Sequence, residues 1–223
     1  MNYHFDFSGV LYNLPAYGRA VLVTLQLTVF ACVAGTLAGL PVAGCMLIPG
    51  RVGQIGVFII EAFRSVPDLV LFFFFYYFPY HEMFGILPPS PFACAFLAMS
   101  TVLAAFAGVL FRDAIRQAPR THILGLRGLG LADSQIFRYA VMPAVVRQTL
   151  PALIAFWIGI LKMSSLSSVI GVSEVTFVAR TGMAQNYRSL EAWIAVALIY
   201  ALLVTPSAYA LKLLQRRPWM QRQ

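Results

Sequence analysis

Apolar residues gather into five long runs along this chain, near residues 21–48, 55–77, 92–111, 152–170 and 193–214, with short polar breaks between them. A hydrocarbon core about 30 Å thick takes about 20 helical residues at about 1.5 Å each, so every run meets or approaches the length of a membrane-crossing helix. The pattern predicts an all-α membrane protein, a single domain over residues 1–223 with five spans. In the first run Gly35-Thr-Leu-Ala-Gly39 places two glycines four apart, a small face that lets another helix approach closely, and Pro41 predicts a kink beyond it.

The break over residues 112–148 is of another kind, too polar to span and too long for an ordinary connection. Gly125, Gly128 and Gly130 are expected to loosen it. Ala132 or Asp133 then caps a short helix that runs through Phe137 or beyond and is ended by Pro143. On that helix Ile136 and Tyr139 are three apart and Phe137 lies beside Arg138, so aromatic and basic groups are presented together. Such a helix suits two settings, flat on lipid headgroups or as a knob for a partner protein.

Composition agrees with the runs: 60% of the residues are hydrophobic, 11% are charged, and the mean hydropathy of +0.79 lies outside the range of soluble domains. Lys and Arg outnumber Asp and Glu by 16 to 8. Because these charges fall in the breaks between apolar runs, the basic balance points to membrane orientation and not to nucleic acid. An odd number of spans puts the two ends on opposite sides. With the N-terminus outside, Arg51, the six arginines from Arg112 to Arg147 and the four basic residues of the tail from Lys212 to Arg222 all fall inside. Only Arg19, Arg180 and Arg188 are left outside, together with Asp6, Glu82, Glu174 and Glu191 among the acids. The expected localisation is therefore multi-pass, N-terminus external and C-terminus cytoplasmic. No Lys or Arg precedes Arg19, so the basic head of a secretory signal peptide is missing and Met1 is expected to begin the mature chain.

Candidate chemistry is sparse. No G-x-x-x-x-G-K-[ST] occurs, so the phosphate cradle of a P-loop is absent and ATP-derived energy would have to arrive through another chain. Cys32, Cys45 and Cys94 sit in apolar runs without ligand spacing, and His81-Glu82 lacks a second His, so no metal site and no nucleophilic triad is expected. Glu61 and Arg64 lie on one helix face, where each offsets the other's charge, as a functional or a purely structural pair. Pro67 followed by Asp68 predicts a kinked helix beside a watery path. Lys162 stands alone in the fourth run, where an ammonium requires a carboxylate, helix-end carbonyls or water. Ser164, Ser165, Ser167 and Ser168 after it can bond a zwitterionic ligand or satisfy neighbouring helices. The aromatic run Phe72 to Phe78 suits the outer headgroup region as an anchor.

The order Gly130-Leu-Ala-Asp-Ser-Gln-Ile-Phe-Arg-Tyr-Ala-Val-Met-Pro143 resembles the EAA loop in membrane subunits of bacterial ATP-binding-cassette (ABC) importers. Thr24-Leu-Gln-Leu-Thr28, Glu61-Ala-Phe-Arg-Ser-Val-Pro67 and Leu161-Lys-Met-Ser-Ser-Leu-Ser-Ser-Val-Ile-Gly-Val-Ser-Glu174 are similar to the polar amino-acid permease branch. Phe5-Asp-Phe-Ser8 and Phe63-Arg-Ser-Val-Pro67 further resemble glutamate/aspartate permease subunits.

The resemblance implies the five-helix core of a type I ABC importer permease in the bacterial inner membrane, with a cytoplasmic coupling helix. On it, Gly130, Leu131, Ala132, Asp133, Ser134, Gln135, Ile136, Phe137, Arg138 and Pro143 form the ATPase-coupling segment, with Ile136, Phe137 and Arg138 in contact and Pro143 starting the return to the membrane. Glu61, Arg64, Pro67, Lys162, Ser164, Ser165 and Ser168 are placed along the translocation path. The implied partners are ABC ATPase subunits, a second permease subunit (a paralogue or another copy), a periplasmic solute-binding protein and the bilayer. The chain binds no cofactor of its own, and ATP with Mg is held by the ATPases. The sequence departs from the family in three places: Leu124-Gly125-Leu126 stands for Glu-Ala-Ala, Val109 for a Glu, and Met163 for an Asp. Two alternatives stay open: an ion-driven secondary transporter or channel, and a scaffold subunit that binds no substrate.

Overall fold

The computed structural model describes residues 4–118, 120–186 and 188–215, so the basic tail residues Arg216, Arg217 and Arg222 lie outside it. The described residues are helical with no strand. A short α1 (Ser8–Tyr12) leads into α2 (Leu14–Leu47), followed by α3 (Arg51–Arg64), α4 (Asp68–Tyr77) and α5 (Tyr80–Phe84). Next come α6 (Pro91–Arg116), α7 (Arg120–Gly128) and α8 (Asp133–Ile136). A π turn (Phe137–Val141) joins α8 to α9 (Met142–Met163), and a 3-10 segment (Ser164–Ile170) continues it; α10 (Val175–Asn186) and α11 (Ser189–Gln215) complete the chain.

Four stretches are long and apolar enough to cross a membrane: Leu14–Leu47, Pro91–Arg116, Asp133–Ile170 and Ser189–Leu213. The run expected as one span over 55–77 is broken. Helix α3 closes with Ser65 N–H donating to Ala62 O and Val66 N–H to Phe63 O, and Pro67 then caps α4. Proline lacks the N–H that would extend α3 and pushes Val66 out of the helical region, so the kink expected at Pro67 becomes a break. Pro41 is the opposite case: α2 runs through it without interruption.

Helix α2 lies along α6, and the glycines explain how closely. A Cβ on Gly35 would sit 2.7 Å from Leu103 Cβ and 2.8 Å from Ser100 O, and one on Gly39 would sit 2.7 Å from Ala107 Cβ. Three buried clusters succeed one another along the bundle. One joins Leu27, Phe72, Met99, Leu103, Ile160 and Met163; one joins Ala43, Phe111, Ile136, Val145 and Leu153; and one joins Tyr17, Ala20, Val175, Ala179 and Val196. Phe72 is fully buried, so the aromatic run is core at its start and exposed only later, at Phe74, Tyr76 and Tyr77. Helix α11 is the least covered span, with only 6% of its apolar window buried.

The start of the chain is tied to α11. Asp6 N–H donates to Glu191 Oε1 at 3.1 Å, and Arg188 donates to His4 O at 2.8 Å. Glu191 and Glu174, expected as external loop acids, are both fully buried. Each is held by donors: Glu191 by Asp6 and Arg188, Glu174 by the first turn of α10.

Candidate functional site: an exposed knob and a polar cavity

Helix α7 ends in a Schellman turn. Leu131 N–H donates to Leu126 O at 3.3 Å and Gly130 N–H to Arg127 O at 2.9 Å, with Gly130 at φ +83°. A Cβ on Gly130 would meet nothing within 4 Å, so glycine is favoured there by backbone conformation and not by space. Gly125 and Gly128, expected to loosen this stretch, lie inside α7, because neither carries a positive φ that would break the helix.

The turn releases the chain into α8, whose N-terminus is held in place twice. Gln135 Oε1 accepts from Ala132 N–H at 2.9 Å, and Asp133 Oδ1 accepts from Arg127 Nε at 2.7 Å. Asp133 in the first turn also meets the positive end of the helix. Ser134 is exposed and Leu131 half-buried.

Beyond Ile136 the helix does not stop. Met142 N–H reaches back five residues to Phe137 O, and Pro143 stands in the first turn of α9. The wider π turn accommodates the missing N–H and the bulky ring of Pro143, so the proline expected to end the short helix joins it to a long one instead. The extra residue also separates the two side chains expected on one face. Ile136 is 3% exposed and packs with Phe111, Ala114 and Val145, whereas Phe137 is 46% and Tyr139 69% exposed. Ile136 thus anchors the knob from inside and presents no contact surface. Phe137, Arg138 and Tyr139 form the exposed part, with the Arg138 guanidinium 5.7 Å from the centre of the Tyr139 ring.

The polar residues expected along a path divide into two groups. Arg64 pairs with Glu61 at 2.8 Å and lies 4.5 Å over the Phe106 ring of α6. Its Nε is buried without a partner. Lys162 and Ser165 instead line a cavity of about 470 Å³ with Thr176, Trp193, Val196, Tyr200, Ala201, Val204 and Thr205. The walls around Arg64 share no residue with this cavity, so the structure does not bring Arg64 and Lys162 together.

The serines are mostly occupied by their own helix. Ser164, Ser165, Ser167 and Ser168 each donate to the carbonyl three residues back, at 2.6 to 2.9 Å. That back-bonding suits the 3-10 turn, and three of the four are buried. The segment ends as α7 does, with Gly171 at φ +92° and Val172 N–H donating to Ser167 O.

Glu174 and Tyr200 organise the far wall, and the sequence reading assigned no role to either. Glu174 Oε1 accepts from Phe177 N–H at 2.8 Å, while Oε2 accepts from Thr176 N–H at 2.9 Å and the Tyr200 hydroxyl at 3.0 Å. Burial holds the Glu174 carboxyl above its ordinary range, and these hydrogen bonds offset only part of that rise. Val175 N–H meets Thr24 Oγ1 at 3.5 Å, and Tyr200 reaches Ser164 Oγ at 3.3 Å. The carboxylate therefore ties α10 to α11, and Val175 and Tyr200 carry the network on to α2 and the 3-10 segment. The signal available in the sequence was an acid beside the start of a helix, which does not reveal its partner 26 residues away.

The sequence profile described as "Binding-protein-dependent transport system inner membrane component" matches residues 35–219. The glutamine transport system permease protein GlnP of Escherichia coli is 29% identical over 214 residues, 96% of this chain and 97% of that protein. The histidine/lysine/arginine/ornithine transport system permease protein HisQ of Salmonella typhimurium is 29% identical over 222 residues, 96% of this chain and 95% of that protein. A solved amino acid ABC transporter superposes with a TM-score of 0.84 at 27% identity, covering 96% of this chain and all of the other. The MetNI methionine ABC transporter, in an inward-facing conformation, shares the fold at a TM-score of 0.74 and 20% identity, over 91% of this chain and 96% of that one.

Proposed function

The chain belongs to the family of binding-protein-dependent transport system inner membrane components, and from that premise we propose that it is the permease subunit of an ATP-driven importer of polar amino acids. Similarity to permeases named for glutamine and for histidine, lysine, arginine and ornithine supports the amino-acid class. Glutamate or aspartate is the specific cargo we propose, from the sequence resemblance and from the cationic side chain of Lys162, which suits an anion.

In this reading residues 112–148 face the cytoplasm and the N-terminus faces the periplasm. The knob of Phe137, Arg138 and Tyr139 enters a groove on a separate ABC ATPase, which holds ATP and Mg. A second permease subunit completes the pore, and a periplasmic solute-binding protein delivers the cargo. One observation carries the mechanism: the exposed knob is continuous with α9, through a π turn and with Ile136 locked in the bundle. Closure of the ATPase pair would push on Phe137. Because interhelical packing resists compression, the displacement passes along α9 to the 3-10 segment and the cavity beside Lys162.

The test is ATP-dependent uptake of radiolabelled L-glutamate by membranes carrying the assembled transporter. Phe137→Ala, at an exposed position, is expected to stay in the membrane at normal abundance and to lose uptake. Normal uptake by that variant would remove the coupling role.

A further inference from the structure

We propose that the cavity between α9, the 3-10 segment, α10 and α11 binds a small carboxylate, and that it holds the carboxylate without requiring an ammonium group next to it. The proposal rests on the reading of the chain as a permease subunit and specifies which part of the cargo this chain grips.

At about 470 Å³ the space falls within the range of small-molecule sites, about 300 to 1,000 Å³. A cation on its wall has no counter-ion. Among the described residues no carboxylate pairs with Lys162. An ammonium donates, and a carboxylate accepts from it with a charge-assisted bond.

Glu174 does not neutralise Lys162. Its two oxygens already take three donors behind the Tyr200 hydroxyl, and it does not line the cavity. Its oxygens are taken up by the scaffold, which leaves Lys162 to the cavity.

The lining explains the second half of the proposal. Among the described residues none on its lining is acidic, so an α-ammonium finds no ionic partner there. Trp193, Val196, Ala201 and Val204 offer an apolar wall for the carbon skeleton. Met163, one residue along from Lys162, turns into the apolar core with Phe106 and Trp157 and brings no acid to either side.

The experiment is equilibrium binding of radiolabelled L-glutamate and of 2-oxoglutarate, the same carbon skeleton with a ketone in place of the ammonium-bearing centre, to the full chain in lipid nanodiscs. Both are expected to bind saturably with dissociation constants within about threefold of each other, since no charge-assisted contact distinguishes them. Lys162→Met is expected to weaken both by about tenfold or more, the loss of one charge-assisted hydrogen bond. Lys162→Arg, which keeps a cationic donor at the wall, is expected to restore binding, which separates the charge from packing. The proposal is overturned if neither compound saturates the wild-type chain, if L-glutamate binds and 2-oxoglutarate does not, or if Lys162→Met binds like wild type. A chain that binds neither compound yet loses uptake with Phe137→Ala would refute this site and leave the permease reading standing. Uptake indifferent to Phe137 would refute the coupling reading whatever the cavity holds.

Discussion

The Glu174 carboxylate takes hydrogen bonds from the N–H groups of Thr176 and Phe177 and from the Tyr200 hydroxyl, all at or below 3.0 Å. Glu174→Ala would leave these donors buried and unmet, at about 1 to 3 kcal/mol for each group that water cannot reach. A clear fall in the thermal unfolding midpoint of the detergent-solubilised chain is expected. Tyr200→Phe removes one donor only, so its fall is smaller; equal midpoints for wild type and Glu174→Ala would contradict this role. Lys162 and Phe137 were legible as residue types, an isolated cation in an apolar run and an aromatic beside Arg138. Thr176 and Tyr200 were not, because their importance comes from a cavity formed by segments about 25 residues apart, and periodicity carries no information about which side chains meet there.

At the scale of elements, the glycines separate into kinds that sequence alone treats alike. Gly130 serves the backbone, at φ +83° with open space around it, so Gly130→Val is expected to cost about 1 to 2 kcal/mol in the turn that sets the angle of the knob. Limited proteolysis of residues 124–137 is the measurement, with faster cleavage expected in the variant. Gly39 serves packing: a Cβ there would meet Ala107 at 2.7 Å, so Gly39→Val overpacks α2 against α6 by about 1 to 3 kcal/mol and lowers the folded yield. The runs of apolar residues predicted α2, α6 and α11 well because length and hydropathy alone define such helices. They failed where a proline decides. Pro67 splits a run into α3 and α4, while Pro143, behind a π turn, joins two pieces that looked separate. A proline's effect depends on whether the preceding turn can widen, which is a property of tertiary packing.

For the molecule as a whole, the proposed topology puts the long polar break of residues 112–148 on the cytoplasmic side and the short connections on the other. In a chain whose three cysteines are replaced by alanine, a cysteine at Phe84 is expected to react with a membrane-impermeant thiol reagent in intact cells. One at Tyr139 should react only after permeabilisation, and the reverse pattern would invert the topology. The central claim is that force enters this helical body through the exposed side chain of Phe137. A photoreactive amino acid at position 137, irradiated in native membranes containing the assembled transporter, tests it most directly. A covalent adduct with a nucleotide-hydrolysing subunit is expected, its yield changing when ATP is added. Adducts with lipid or with a periplasmic protein alone would contradict it.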